Sequence, residues 1–241
     1  MVTYLDPLAG RISGRTVQGT NLTSSFEQGH PLWYMYGYVA ESIDAEGRVN
    51  YTDFDANGNR VGTTITPGGD DRTEIGKAIP DFTYGLTINL AWKNLDLTIF
   101  GNGVAGNNIY PTAYRVDRPS CNTYAYYWRN SWKQPGDEAT AKFPAAKYWS
   151  SEAFSSTLSV FKGDYFKIKT IELGYTLPKN LTKKACINSL RVFAMLDNFF
   201  TFSNYIGLDP ETATTAGNAI GFDMGNFPTA RNLIFGLNLD F

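Results

Sequence analysis

Phe82-Thr83-Tyr84-Gly85-Leu86-Thr87-Ile88-Asn89-Leu90-Ala91-Trp92 alternates without a break: every even position is large and apolar, every odd one small or polar. Such a period-2 pattern marks a strand lying between two unlike media. Its length narrows the choice. A strand crossing a bilayer at about 45° takes about 9–11 residues, whereas a strand of a globular protein has about 5–6. Lys93-Asn94 then offers a two-residue turn and Leu95 to Gly101 returns the chain, so a long hairpin is expected.

Further strands of similar length are predicted on both sides of this hairpin. Asp164 to Leu177 carries Phe166 and Ile168 in one phase and Ile171, Leu173 and Tyr175 in the other, which calls for a β-bulge near Lys169-Thr170. Leu190 to Phe200 sets Leu190, Val192, Ala194 and Leu196 against Arg191 and Asp197. Asn232 to Phe241 places Leu233, Phe235, Leu237, Leu239 and Phe241 on one face. Leu32 to Ile43, rich in Trp33, Tyr34, Tyr36 and Tyr38, is expected as another strand, and Thr16 to Phe26 is the best strand candidate before it. Short turns of helix are expected at 181–186 and within 137–155.

The connections between these strands alternate in length. Backwards from Phe241 they run long (201 to about 230), short (178–189), long (102–163), short (93–94) and long (44–81). Bacterial outer-membrane barrels have long extracellular loops and short periplasmic turns. Phe241 is therefore expected at the periplasmic end. Trp92 and Tyr175 near the short turns, and Phe199, Phe200 and Phe202 near the long loops, suit the aromatic girdles of such a wall. So few strands do not close a barrel, and an open sheet edge in lipid is not viable. The predicted fold is all-β, the C-terminal portion of a larger antiparallel transmembrane barrel.

Composition agrees. The 241 residues are 15% aromatic and 18% charged with a net charge of −2, which gives no basic footprint for nucleic acid. No run approaches the roughly 18 apolar residues of a membrane helix. The opening residues lack the basic and apolar regions of a signal peptide, which leaves a cytoplasmic protein or a piece of a longer exported chain, and the closing strand favours the second. Cys121 and Cys186 have no metal-ligand spacing and are expected at opposite ends of the molecule. His30 is the single histidine, which removes a triad or histidine-rich metal site, and Asp137, Glu138 and Glu152 lack the partners of an acid/base pair. An enzyme is not expected.

Several segments in order resemble the C-terminal end of the SusC/RagA family of TonB-dependent outer-membrane transporters. They begin with Glu27-Gln28-Gly29-His30-Pro31-Leu32, Asp55-Ala56-Asn57-Gly58-Asn59 and Asp71-Arg72-Thr73-Glu74-Ile75-Gly76, and continue through Pro80-Asp81-Phe82-Thr83-Tyr84-Gly85 and Gly103-Val104-Ala105-Gly106-Asn107. Gly163-Asp164-Tyr165-Phe166-Lys167-Ile168-Lys169, Leu173-Gly174-Tyr175-Thr176-Leu177-Pro178, Asp197-Asn198-Phe199-Phe200-Thr201, Gly207-Leu208-Asp209-Pro210-Glu211 and the closing strand complete the series. The resemblance implies a 22-stranded barrel around an N-terminal plug, the plug and TonB box lying outside these residues. It implies import of oligosaccharides or peptides, a SusD-like lipoprotein partner, and drive from the TonB complex through the N-terminal part. The closing strand resembles the signal read by the outer-membrane assembly machinery.

Two groups of residues are candidate sites. Tyr126, Tyr127, Trp128, Arg129 and Trp132 form the most aromatic segment outside a strand; rings beside a guanidinium suit sugar binding, and equally suit packing of the long loop against its neighbours or against a partner. Asp53, Asp55, Asn57 and Asn59 resemble the first half of a Ca²⁺ loop with Gly58 at its sixth position, although Thr64 replaces the bidentate Glu at the twelfth. An Asn-Gly turn explains the same spacing without metal. The rival fold is a soluble carbohydrate-binding β-sandwich, which predicts shorter strands and no alternation of loop lengths.

Overall fold

A computed structural model describes residues 10–16, 22–112, 124–183, 186–212 and 219–241. The chain divides into two compact units. One, Asp81–Ala105, Asp164–Asn204 and Pro228–Phe241, is a single sheet; the other holds the long connections and the residues before Asp81.

The sheet has five antiparallel strands in the spatial order Asn232–Asp240, Ser189–Ser203, Tyr165–Thr176, Leu95–Ala105 and Phe82–Trp92. The hairpin of eleven-residue strands is present, with Trp92 opposite Leu95 and Lys93 taking the positive φ of 54° that closes the turn. Residues opposite one another share a face, so the register sorts the side chains into rows. Leu90, Leu97, Leu173, Ala194 and Phe235 form one row; Ile88, Ile99, Ile171, Leu196 and Leu233 form the next. This apolar face is open: Leu90 is 58% exposed, Leu173 50%, Leu237 61% and Phe235 74%. A soluble sandwich would bury these side chains against a second sheet.

The bulge lies where the phase change required it. Ile168 pairs with Gly101 and Thr170 with Phe100, leaving Lys169 extra, and on the other side Ile168 pairs with Phe200 but Thr170 with Asp197. Asn198 takes up the second shift with a φ of 58°, its Nδ2 donating to the Asp197 carboxylate at 3.1 Å and the Ala230 carbonyl at 3.2 Å. Phe166, Ile168, Ile171, Leu173 and Tyr175 thereby all reach one face. Near the short turns Trp92, Leu95 and Tyr175 share a row, and near the long connections Tyr84, Phe166 and Phe202 do. Tyr84 and Phe166 stack 6.0 Å apart across Gly103, where an added Cβ would stand 2.6 Å from the Tyr84 ring. The two aromatic rows are about 27 Å apart along the strand, or about 20 Å once the strand tilts, close to the height of an outer-membrane apolar band.

The opposite face is mixed and carries an ion-pair cluster. Arg191 donates through Nε to Asp96 at 3.1 Å, through Nη2 to the second Asp96 oxygen, and through Nη2 to Glu172 at 2.6 Å. The guanidinium lies across Gly174, where a Cβ would come within 2.3 Å of it, and 5.2 Å from the Phe193 ring. Arg191→Met leaves two carboxylates facing each other without their cation. We expect a loss of about 1–2 kcal/mol, moderated by water screening, read as a lower urea midpoint in detergent.

The second unit is built from shorter pieces. Ile12–Thr16, Thr23–Phe26, Tyr34–Tyr38 and Arg72–Lys77 form a four-stranded sheet; Ala40–Ile43, Val49–Phe54 and Arg60–Thr64 form a meander. Phe161–Lys162, Asn108–Pro111 and Phe222–Asp223 make a third small sheet. Leu22, Met35, Tyr110, Phe154, Ala219 and Phe222 pack into the main core.

Two expectations change here. Leu32 to Ile43 is not one wall strand. It divides between the four-stranded sheet and the meander, because Tyr38 N–H donates to the Ser155 carbonyl at 3.0 Å and that segment docks beside Gly37. A Cβ on Gly37 would meet the Ser155 oxygen at 2.2 Å. The 44–81 connection is consequently internal to this unit, and alternation of loop length holds for the four connections from 93 onward. The aromatic segment is also helical, over Ala125–Asn130. Helical turns occur at Ala146–Tyr148 and Ser151–Phe154 within the expected stretch, and at Lys179–Thr182, two residues ahead of the expected 181–186. Cys186 is exposed with a free thiol, and Cys121 lies outside the described residues.

Candidate functional site

The Ala125–Asn130 helix separates the aromatic residues by burial. Tyr127 is fully buried, its ring centroid 4.9 Å from Phe143, 5.7 Å from Trp149 and 6.4 Å from Phe161. Tyr126 is half-buried beside it, 5.8 Å from Phe143. Trp132 is also half-buried and lies against Gly47, whose added Cβ would approach that ring to 2.6 Å. Trp128 and Arg129 face solvent. Trp128 is 60% exposed with the Lys133 ammonium 5.7 Å from its ring, and Arg129 lines a polar cavity of about 420 Å³ with Asn130, Lys133, Gln134 and Asp137. Three of the five rings and charges therefore serve chiefly to pack the segment, and Trp128 and Arg129 are the two presented outward.

The carboxylates near this segment cap backbone groups. Asp137 Oδ2 accepts from Lys133 N–H at 3.0 Å and Gln134 N–H at 3.1 Å. Glu138 accepts from Gly136 N–H through both oxygens, at 3.0 and 2.9 Å, and these bonds hold its carboxyl below the usual range.

Asp53, Asp55, Asn57 and Asn59 all sit on the hairpin that joins Val49–Phe54 to Arg60–Thr64. Asp55 organises its tip: Oδ1 accepts from Asn57 N–H and Asn59 N–H, each at 2.8 Å, and Oδ2 from Asn59 Nδ2 at 3.2 Å. The Asn59 backbone bond, above all, holds the Asp55 carboxyl below its usual range. These bonds occupy both oxygens and form the Asx-type turn with Gly58 at φ 80°. Asp71 completes the region from the other side, accepting from Phe54 N–H at 2.9 Å and Gly68 N–H at 2.6 Å.

Beside the tip of this hairpin Arg60 donates Nε and Nη2 to the two oxygens of Glu41, each at 2.8 Å, and Thr52 Oγ1 adds a third bond at 2.8 Å. The Arg60 bonds, then that from Thr52, hold the Glu41 carboxyl at about 2, against an ordinary value of 4.5. A depressed folded value means the stabilisation is complete above about 4.5 and is lost as pH falls through about 2. In a carboxyl NMR titration Glu41 should keep its charge to about pH 2, and Arg60→Ala should return its midpoint toward the ordinary value.

No family model matches the chain. TonB-dependent receptor P39 of Formosa agariphila is 31% identical over 180 residues, which is 71% of this chain and 17% of that protein. Receptor P3 of the same organism is 29% identical over 198 residues, 79% of this chain and 19% of its own length. TonB-dependent receptor SusC of Bacteroides thetaiotaomicron is 27% identical over 220 residues, 89% of this chain and 20% of SusC. Over most of its length the chain is similar to TonB-dependent receptors, SusC among them. It spans about a fifth of the length of these receptors.

Solved structures agree on the fold. The RagAB peptide transporter superposes with a TM-score of 0.73 at 24% identity, covering 95% of this chain and 25% of that one. The same importer in its open-open state gives 0.75 at 22% identity, over 99% of this chain and 25% of its own. TonB-dependent receptors are outer-membrane β-barrels, and the five-stranded sheet has the fold of a portion of such a barrel wall. These relatives are receptors and transporters, not enzymes.

The Arg191 cluster escaped the sequence reading because nothing in the spacing joins Asp96, Glu172 and Arg191. They come from three different strands. Only the register gathers them around Gly174 on one face, with Asp96 opposite it and Glu172 and Arg191 two positions to either side.

Proposed function

We propose that the chain supplies part of the wall and extracellular loops of an outer-membrane importer that takes up oligosaccharides or peptides under the drive of the TonB complex. The observation that carries this reading is the sheet itself: an apolar face for lipid, a charged face for the lumen, and long connections that all leave from one end. That end is the extracellular one in this reading, and Asp240 and Phe241 lie on the periplasmic side. The TonB complex would engage parts of the receptor beyond these residues, and a SusD-like lipoprotein would cap the long loops, with Trp128 and Arg129 open to it or to substrate. The RagAB neighbours, described as a peptide transporter, support peptide as one cargo class.

The test is uptake by cells with and without the receptor that contains this chain. Loss of the receptor should abolish energy-dependent accumulation of at least one labelled oligosaccharide or peptide, and a protonophore should mimic that loss. Unchanged accumulation across both cargo classes would overturn the proposal.

A further inference from the structure

A second cavity, of about 450 Å³, lies in the loop unit, and its lining residue Trp149 packs on the helix that carries Trp128. Its wall joins three pieces of chain: the start of the Val49–Phe54 strand, residues 65–67 after the hairpin, and residues 147–152 across the Ala146–Tyr148 turn. That volume lies within the 300–1,000 Å³ of small-molecule sites.

The chemistry of the wall is divided. Tyr148, Trp149, Ile65 and Pro67 give it apolar surface, while Tyr51 and Glu152 bring a phenol and a carboxylate to the same space. Trp149 is fixed from behind by Phe143, at 5.5 Å between ring centroids, and by Tyr127 at 5.7 Å. The Lys147 ammonium lies 4.7 Å from the Tyr148 ring. Burial pushes the Tyr51 phenol up, keeping it a neutral hydroxyl. Burial would also raise Glu152, but its own backbone N–H and the Ser150 and Ser151 hydroxyls outweigh that and keep it ionised.

The charges do not favour an ionic ligand. Arg48 at the rim is already committed to Asp44, at 2.6 Å, and Glu46, at 2.8 Å. Lys147 and Glu152 then offset each other. What remains is aromatic surface beside hydroxyl and carboxylate acceptors, with no net sign. A pyranose ring meets those demands, since it has an apolar face for a ring and hydroxyls that donate to a carboxylate, the charge-assisted bond being the stronger kind.

We propose that this cavity is a subsite for a short stretch of neutral glycan, stacked against Tyr148 and Trp149 and hydrogen-bonded through its hydroxyls to Glu152 and Tyr51. The assignment deepens the importer reading by choosing a cargo class, and it rests on that reading only for its role in uptake.

The test uses the whole receptor in detergent, titrated calorimetrically with cellohexaose, xylohexaose, laminarihexaose and maltohexaose, and with an acidic and a basic decapeptide. At least one hexasaccharide should bind. Tyr148→Ala should weaken it at least about tenfold, and Glu152→Gln about fivefold. Ile65→Trp, at a 45% exposed side chain, fills the cavity without touching either group and should abolish binding. Circular dichroism and heat-modified gel mobility confirm that each variant is folded. No hexasaccharide binding, binding indifferent to all three variants, or a cavity that takes only the peptides overturns the subsite. Binding lost in the variants without any cellular uptake of the sugar sinks the import reading instead and leaves the subsite standing.

Discussion

Ile171→Arg should prevent the sheet from settling in a bilayer, at a cost of about 2–4 kcal/mol. Ile171 shares its row with Ile88, Ile99, Leu196 and Leu233, midway between the Trp92–Tyr175 level and the Tyr84–Phe166–Phe202 level. A guanidinium there has no lumen to turn to and no partner on its own face. Thr98→Arg provides the comparison. Thr98 lies beside Glu172 on the charged face, so the same side chain should change stability by about 0.5 kcal/mol or less. Folding titrations of the receptor into lipid vesicles should separate the two variants. Equal effects would mean that the faces have been assigned wrongly.

Phe154→Ala should unfold the loop unit while the receptor still inserts. Phe154 is fully buried, 5.1 Å from the Tyr110 ring, and its carbonyl accepts the Tyr110 hydroxyl at 2.6 Å. Removing the ring opens a cavity between Tyr110, Phe222 and Met35 and should cost about 3–5 kcal/mol. That is a large fraction of what a small unit has to lose. Phe154→Leu keeps most of the volume and should cost less than about 1.5 kcal/mol. Limited proteolysis on intact cells is the readout: the Ala variant should be cut within 106–163 and 205–227, with the heat-modified mobility of the barrel unchanged. Loss of the receptor from the outer membrane would show instead that the two units fold as one.

The wall was legible because its rule is local. Phe82–Trp92 reports two unlike environments at every second residue, and the broken phase at Lys169 foretold a bulge that the register contains. The same reasoning misread Leu32 to Ile43. A tyrosine-rich run suits a membrane girdle and a globular core alike, and Tyr34, Met35 and Tyr38 went to the core. The aromatic segment was likewise recognised by composition, but burial decides which of its rings are available. Tyr127 was taken by packing, leaving Trp128 and Arg129 outside.

By itself, the sequence determined the long alternating strands, the bulge, the short turns between long connections and the similarity to TonB-dependent receptors, because each is encoded in neighbouring residues or in an ordered series of motifs. Tertiary structure alone decided the ion-pair cluster of Asp96, Glu172 and Arg191, the division of the Leu32–Ile43 run, and the cavity between Tyr51, Ile65, Tyr148 and Glu152. The physical reason is distance along the chain. Alternation acts over two residues, whereas a side chain's partner across a sheet or a cavity is set by register and packing among segments up to about a hundred residues apart.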